Sequence, residues 1–179
     1  MDGFIKEHPT QLAYLAGAGI SVAPPAALPG AAQFITALTE KITDDPTLKA
    51  AITDRLFIET VGKRFEGDFL RFEGVLSCIR LTIDPELELL RLYSSCTSPN
   101  AYHFFLARQL EQGAILLTTN FDNLLERACH ALGIHYTLLA TDEELTAFGK
   151  NPDAFQHPIL KLHGGYDLMN SDGTIWQGA

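Results

Sequence analysis

Short apolar runs separated by polar or glycine-rich breaks predict the elements of this chain. Residues 12–16, 114–118, 135–140 and 157–162 are runs of strand length, shorter than a stable helix needs. Other apolar positions recur at helical spacing. Phe34, Ile35, Leu38 and Ile42 share one face of 31–42. Phe105, Leu106 and Leu110 lie on a helix that Ser98-Pro99 opens, serine as cap and proline first, and that stops at Gly113. Leu124, Leu125, Ala128 and Leu132 mark another, beginning at Asn120 or Phe121 and closed by Gly133. Residues 141–148 form a short helix with Asp142, Glu143 and Glu144 in its first turn, where carboxylates suit the helix dipole. The tail from Tyr166 is loop, with a turn around Asn170, Asp172 and Gly173.

Strand and helix alternate after residue 100, which predicts an α/β fold with a parallel sheet and crossover helices. Residues 43–98 carry helical signals over 46–57, 72–81 and 85–93. They read as an all-helical insertion between the first two strands of one domain spanning 1–179.

Charge narrows the function. A net charge of −9 argues against direct binding to nucleic-acid backbone, which needs clustered Lys and Arg. Residues 9–39 hold no charge at all. A signal peptide or membrane span would explain that, but Gly17, Gly19, Pro24, Pro25, Pro29 and Gly30 interrupt the run. A parallel strand buried on both faces, followed by a ligand loop, explains it better. Cys78, Cys96 and Cys129 form no C-x-x-C pair, so they supply no zinc ligand set and read as buried free thiols of a reducing, cytoplasmic compartment.

Three polar strings follow predicted strands, where α/β sheets bind ligands. Gly17-Ala18-Gly19-Ile20-Ser21 follows the first. It is either a loop whose backbone cradles phosphate or a tight turn needing positive φ. It is neither a dinucleotide G-x-G-x-x-G nor a P-loop, because Val22 stands at the third glycine and no Gly-Lys-Ser/Thr follows. Thr118-Thr119-Asn120-Phe121-Asp122 follows the second. Asn120 suits a helix N-cap, or an amide that orients a ribose hydroxyl or a water; Asp122 suits the helix dipole. Lys161-Leu162-His163-Gly164 ends the last strand. Flanked by glycine, His163 has little cover and could accept a proton near neutral pH. His103, among Tyr102, Phe104 and Phe105, reads as a packing or surface residue, and Glu40 as a solvated helix residue.

In this order the strings resemble the sirtuin family, and most closely the sirtuin-like domains that bacteria use as NAD hydrolases in antiphage defence. The matching pieces are Gly17 to Ser21, Ala27-Leu28-Pro29 for the family's G-[IL]-P element, Thr118 to Asp122, and His163-Gly164; Ser98-Pro99 through His103 and Leu106 also match. The resemblance implies a Rossmann-like NAD-binding sheet and NAD⁺ hydrolysis to nicotinamide and ADP-ribose without metal. Gly17, Ala18, Gly19, Ser21 and Thr119 would line the NAD diphosphate and ribose, and Leu28 and Pro29 the nicotinamide pocket. Asn120 would hold the ribose or the attacking water, Asp122 the nicotinamide carboxamide, and His163 would be the general base. Gly30-Ala31-Ala32 replaces the family's Asp-Phe-Arg string, and the zinc cysteines of the deacylating branch are missing. Protein deacylation is therefore the second function, and a non-catalytic NAD or ADP-ribose sensor the third. Family domains continue beyond the histidine, so the chain reads as the N-terminal part of a longer protein. By the same resemblance it would act as a homo-oligomer or with a fused or separate sensor, away from membranes.

Overall fold

A computed structural model of the chain describes residues 12–55 and 71–176. Among them the chain forms two compact units, Pro29–Leu89 and a larger one from residues before Pro29 and after Leu89. The larger unit is α/β. Its strands are β1 (Ala13–Ala16), β2 (Ile115–Thr118), β3 (Thr137–Leu139) and β4 (Pro158–Lys161), in spatial order β1-β2-β4-β3, and all pairings are parallel. Each strand lies inside its predicted run, trimmed by one to three residues at the ends.

Helices run between the strands, as parallel pairing requires. A one-turn helix α1 (Gly19–Val22) follows β1. In the smaller unit are α2 (Ala31–Ile42), α3 (Pro46–Arg55) and α4 (Phe72–Thr82). The larger unit adds α5 (Ala101–Glu111), α6 (Leu124–Ala131) and α7 (Asp142–Lys150). Leu106, Ala107 and Leu110 of α5 and Leu125, Ala128 and Cys129 of α6 meet Leu116 and Ile159 of the sheet in one core. All four residues of β4 are buried, as expected of a strand inside a parallel sheet.

β1 differs from expectation. It is an edge strand, and Leu15 on its outward face is 71% exposed, so its apolar character does not come from burial on both faces. The cysteines also differ: Cys129 is buried, but Cys78 is exposed on the outer face of α4 and Cys96 is half-buried.

Within the smaller unit, Phe34 of α2 meets Phe72 of α4 edge-on at 5.5 Å. Glu40 is exposed, as expected, and pairs with Lys49 at 2.5 Å. The end of the helix expected over 46–57 lies outside the described residues. Over 85–93 the chain forms a 3₁₀ segment, Glu88–Ser94, rather than an α-helix. No helix among the described residues is long and apolar enough to cross a membrane.

Candidate active site

The carboxyl ends of β1, β2 and β4 open on one rim, because the strands are parallel neighbours. The ladder continues past the strand ends: Thr119 N–H donates to Ala16 O at 3.1 Å, and Leu162 N–H to Thr118 O at 2.9 Å. Gly17, Thr119 and Leu162 are thereby brought abreast. The three polar strings thus meet along one edge of the sheet.

Gly17, Ala18 and Gly19 are exposed. The segment does turn tightly, with Ile20 N–H donating to Gly17 O at 3.1 Å and Ser21 N–H to Ala18 O at 3.0 Å, but neither glycine has positive φ, so the turn does not need left-handed backbone. Packing does not demand glycine either. A Cβ on Gly19 would meet nothing within 4 Å, and one on Gly17 would lie 3.6 Å from Thr119 Oγ1. What their bareness leaves is open space beside the start of α1, where the N–H groups of Ile20 and Ser21 are already taken by Gly17 O and Ala18 O.

Ser21, one turn on, is buried and central to a hydrogen-bonded cluster. Its hydroxyl donates to Asp122 Oδ2 at 2.8 Å and accepts from Asn120 Nδ2 at 3.1 Å. His103 Nε2 lies 3.2 Å from the same oxygen. Asn120 is not a helix cap. Helix α6 begins at Leu124, whose N–H donates to Asp122 Oδ1 at 3.1 Å, so Asp122 takes the part of helix-entry acceptor and frees Asn120 to face Ser21. Asn120 N–H is held by Thr118 Oγ1 at 3.1 Å. Its Oδ1 is buried and has no hydrogen-bond partner among the described residues.

Of the two readings of His103, packing or surface, burial holds: it is fully buried, with Asn100 N–H and Ser21 Oγ at its two ring nitrogens. The helix starts later than expected, since Asn100, not Ser98, caps α5: its side chain accepts from Tyr102 N–H at 3.0 Å. The Asn100 amide donates back to Ile20 O at 2.7 Å and Ala23 O at 2.9 Å, which clamps α5 to the turn carrying Ser21. Burial holds the His103 imidazole below its ordinary pKa, against the pull of Asp122, and Lys161 adds to the lowering.

Beneath the cluster, Lys161 and Glu126 are both fully buried, with Nζ 3.2 Å from Oε1. The two are in ion-pair contact but out of hydrogen-bond alignment. The ammonium donates to the Asp122 backbone carbonyl and so holds the Asn120–Asp122 segment from below. Burial raises the Glu126 pKa, Lys161 opposing it. Burial, with Asp122 adding, pushes the Tyr93 phenol up to about 12, keeping it protonated.

His163 is different. It is exposed, and its ring stacks on Phe121 with centroids 6.4 Å apart. Phe121 in turn lies 6.2 Å from Tyr93. The loop that carries His163 is pinned behind it. Gly164 has φ +66, where a side chain would be strained, and a Cβ on Gly165 would come within 2.9 Å of Phe121 O and 2.7 Å of Leu168 Cδ2, a clash with backbone that only glycine avoids. Asn123 Nδ2 donates to Asp167 O at 2.7 Å, and Ser94 Oγ to Asp167 Oδ2 at 2.8 Å. Leu28 is buried, and its N–H donates to Ser21 O at 2.9 Å; Pro29 opens the smaller unit.

Residues 114–174 match the model of a family described as SIR2-like domain, about a third of the chain. The matched stretch contains Asn120, Asp122, Glu126, Lys161 and His163 but not the early glycine turn. No curated protein matches the chain. The match supports a sirtuin-like domain with NAD-related chemistry in the broad sense.

Proposed function

We propose that this rim binds NAD⁺ and hydrolyses it to nicotinamide and ADP-ribose. The bond that breaks joins ribose C1′ to the nicotinamide nitrogen, and the bonding pair leaves with nicotinamide, cancelling its positive charge. The leaving group therefore needs no acid. The site must tolerate an oxocarbenium-like ribose and deliver water to C1′. Water oxygen bonds to C1′, and His163 takes the proton released.

The observation that carries this reading is the buried Oδ1 of Asn120. A buried acceptor without a donor costs about 1–3 kcal/mol. An attacking water or a ribose hydroxyl supplies that donor, and Ser21 keeps the amide turned so that Oδ1 is the atom available. The bare backbone of Gly17, Ala18 and Gly19 suits a diphosphate. Ser21, Thr119 and Asp122 flank it, Asp122 retaining lone pairs for the nicotinamide carboxamide. Leu28 and Pro29 keep the nicotinamide-pocket role on the resemblance alone. Action as an antiphage effector in the cytoplasm, as a homo-oligomer or with a sensor partner, belongs to the same reading.

The test is nicotinamide release from NAD⁺ by the full-length protein. Asn120→Ala and His163→Ala should each lower kcat by at least about a hundredfold with unchanged circular dichroism. Turnover retained in both variants overturns the reading. Consumption that depends on an acyl-lysine peptide would instead establish deacylation, and NAD⁺ binding without turnover a sensor.

A further inference from the structure

We propose that His103 is a positioning residue, whose Nε2–H fixes the Ser21 hydroxyl and through it the orientation of the Asn120 amide. The inference rests on the glycohydrolase reading, but its geometry is independent of it. Asn100 N–H donates to His103 Nδ1 at 3.1 Å, a capping-box arrangement with histidine in the place of glutamate. A nitrogen that accepts carries no proton, so the neutral ring is protonated at Nε2. That proton points at Ser21 Oγ, 3.2 Å away.

The hydroxyl has one proton and two lone pairs. His103 and Asn120 both donate to it, so its own proton goes to Asp122 Oδ2. Every member of the chain then has one orientation. The Asn120 nitrogen faces Ser21, and Oδ1 is left for a ligand. Without the Nε2–H, the Ser21 hydroxyl gains a free rotor position and the amide loses the constraint that keeps Oδ1 turned away from Ser21. Protonating His103 would set a second N–H against Asn100 N–H. The charged groups acting on the ring among the described residues are Asp122, which favours the imidazolium, and Lys161, which with burial opposes it.

The full-length protein with ¹⁵N-labelled histidine tests the ring state. His103 should show a protonated Nε2 and an unprotonated Nδ1 at neutral pH; a protonated Nδ1 overturns the proposal. In kinetics, His103→Gln supplies an amide N–H in place of Nε2–H, and His103→Leu supplies none. With NAD⁺ as the probe, the Gln variant should keep kcat within about threefold, and the Leu variant should lose about tenfold or more. Equal activity of the Leu variant and the unaltered protein overturns it, as does equal loss in both variants, which marks a merely structural role. If the Leu variant fails to fold, the ring spectrum and the Gln variant decide. If the unaltered protein releases no nicotinamide, the glycohydrolase reading falls, and calorimetry of NAD⁺ binding takes the place of kinetics. Affinity kept by Gln and lost by Leu then supports the positioning role, and affinity unchanged in the Leu variant overturns it.

Discussion

The two sides of the rim are built on opposite terms. Ser21, His103, Asn120 and Asp122 are buried and hold one another with hydrogen bonds between residues far apart in sequence. His163, on the neighbouring strand end, is exposed and makes a ring stack with Phe121. One side gives up access for fixed geometry. The other keeps access, and fixes the loop behind the residue instead of the residue itself. This division suits a reaction in which one group must hold a nucleophile in place and another must exchange a proton with solvent.

The buried side should be the more fragile, and Lys161 gives the largest expected effect. Lys161→Met leaves the Glu126 carboxylate buried and unpaired and removes the donor to Asp122 O. Breaking one member of a buried pair costs about 3–5 kcal/mol, readable as a drop in urea midpoint. Lys161→Met combined with Glu126→Leu should recover much of that loss. A cost under about 1 kcal/mol for Lys161→Met would show that the buried side does not depend on the pair, and the contrast between the two sides would weaken.

A smaller effect concerns His103 and pH. The folded state holds His103 below its ordinary value of about 6.5, so on acidification the unfolded chain takes up the proton first. The stability associated with the neutral ring is therefore full above about pH 6.5 and is lost as pH falls toward the folded value, with a slope of at most about 1.4 kcal/mol per pH unit. Glu126, shifted upward, acts with the opposite sign but is common to both proteins when the unaltered chain is compared with His103→Gln. Their stability difference should therefore narrow or reverse as pH drops from 7 to 5. A difference that stays constant over that range would mean His103 is not held neutral by its surroundings.

The same contrast explains what was legible in the sequence. Strands, most helices and the three polar strings could be read because each is a local pattern, an apolar run ending in a polar break. The Thr141 cap of α7 is of that kind: its Oγ1 accepts from Glu144 N–H at 3.2 Å, all within four residues. The buried side depends on pairs such as Ser21 with His103, 82 residues apart, which periodicity does not reveal. A histidine among aromatics reads as packing, which burial of His103 bears out, but nothing in that pattern points to its contact with Ser21. The one local signal was its place three residues after Asn100, the spacing of a capping box. Asn120 suits a cap because asparagine is a favoured N-cap residue, and only the fold decides that Asp122 takes the Leu124 N–H instead. Lys161 carried a signal too, a charge inside an otherwise apolar strand, which needs a buried partner to be tolerated.

The smallest expected effect on stability belongs to His163. Among the described residues its side chain gives the fold one ring stack, and its loop is held elsewhere, by Gly165 against Phe121 O and by Asp167 against Ser94 and Asn123. His163→Ala should therefore shift unfolding free energy by no more than about 0.5 kcal/mol, as for a surface substitution, although the proposed chemistry requires it to abolish nicotinamide release. Asn120→Ala should cost more in stability, since it removes a donor to Ser21 inside the buried cluster. If His163→Ala proved as destabilising as Asn120→Ala, the stack on Phe121 would be holding the rim together. The loss of activity would then follow from collapse of the site, and the separation between a fixed side and an accessible side would no longer describe this molecule.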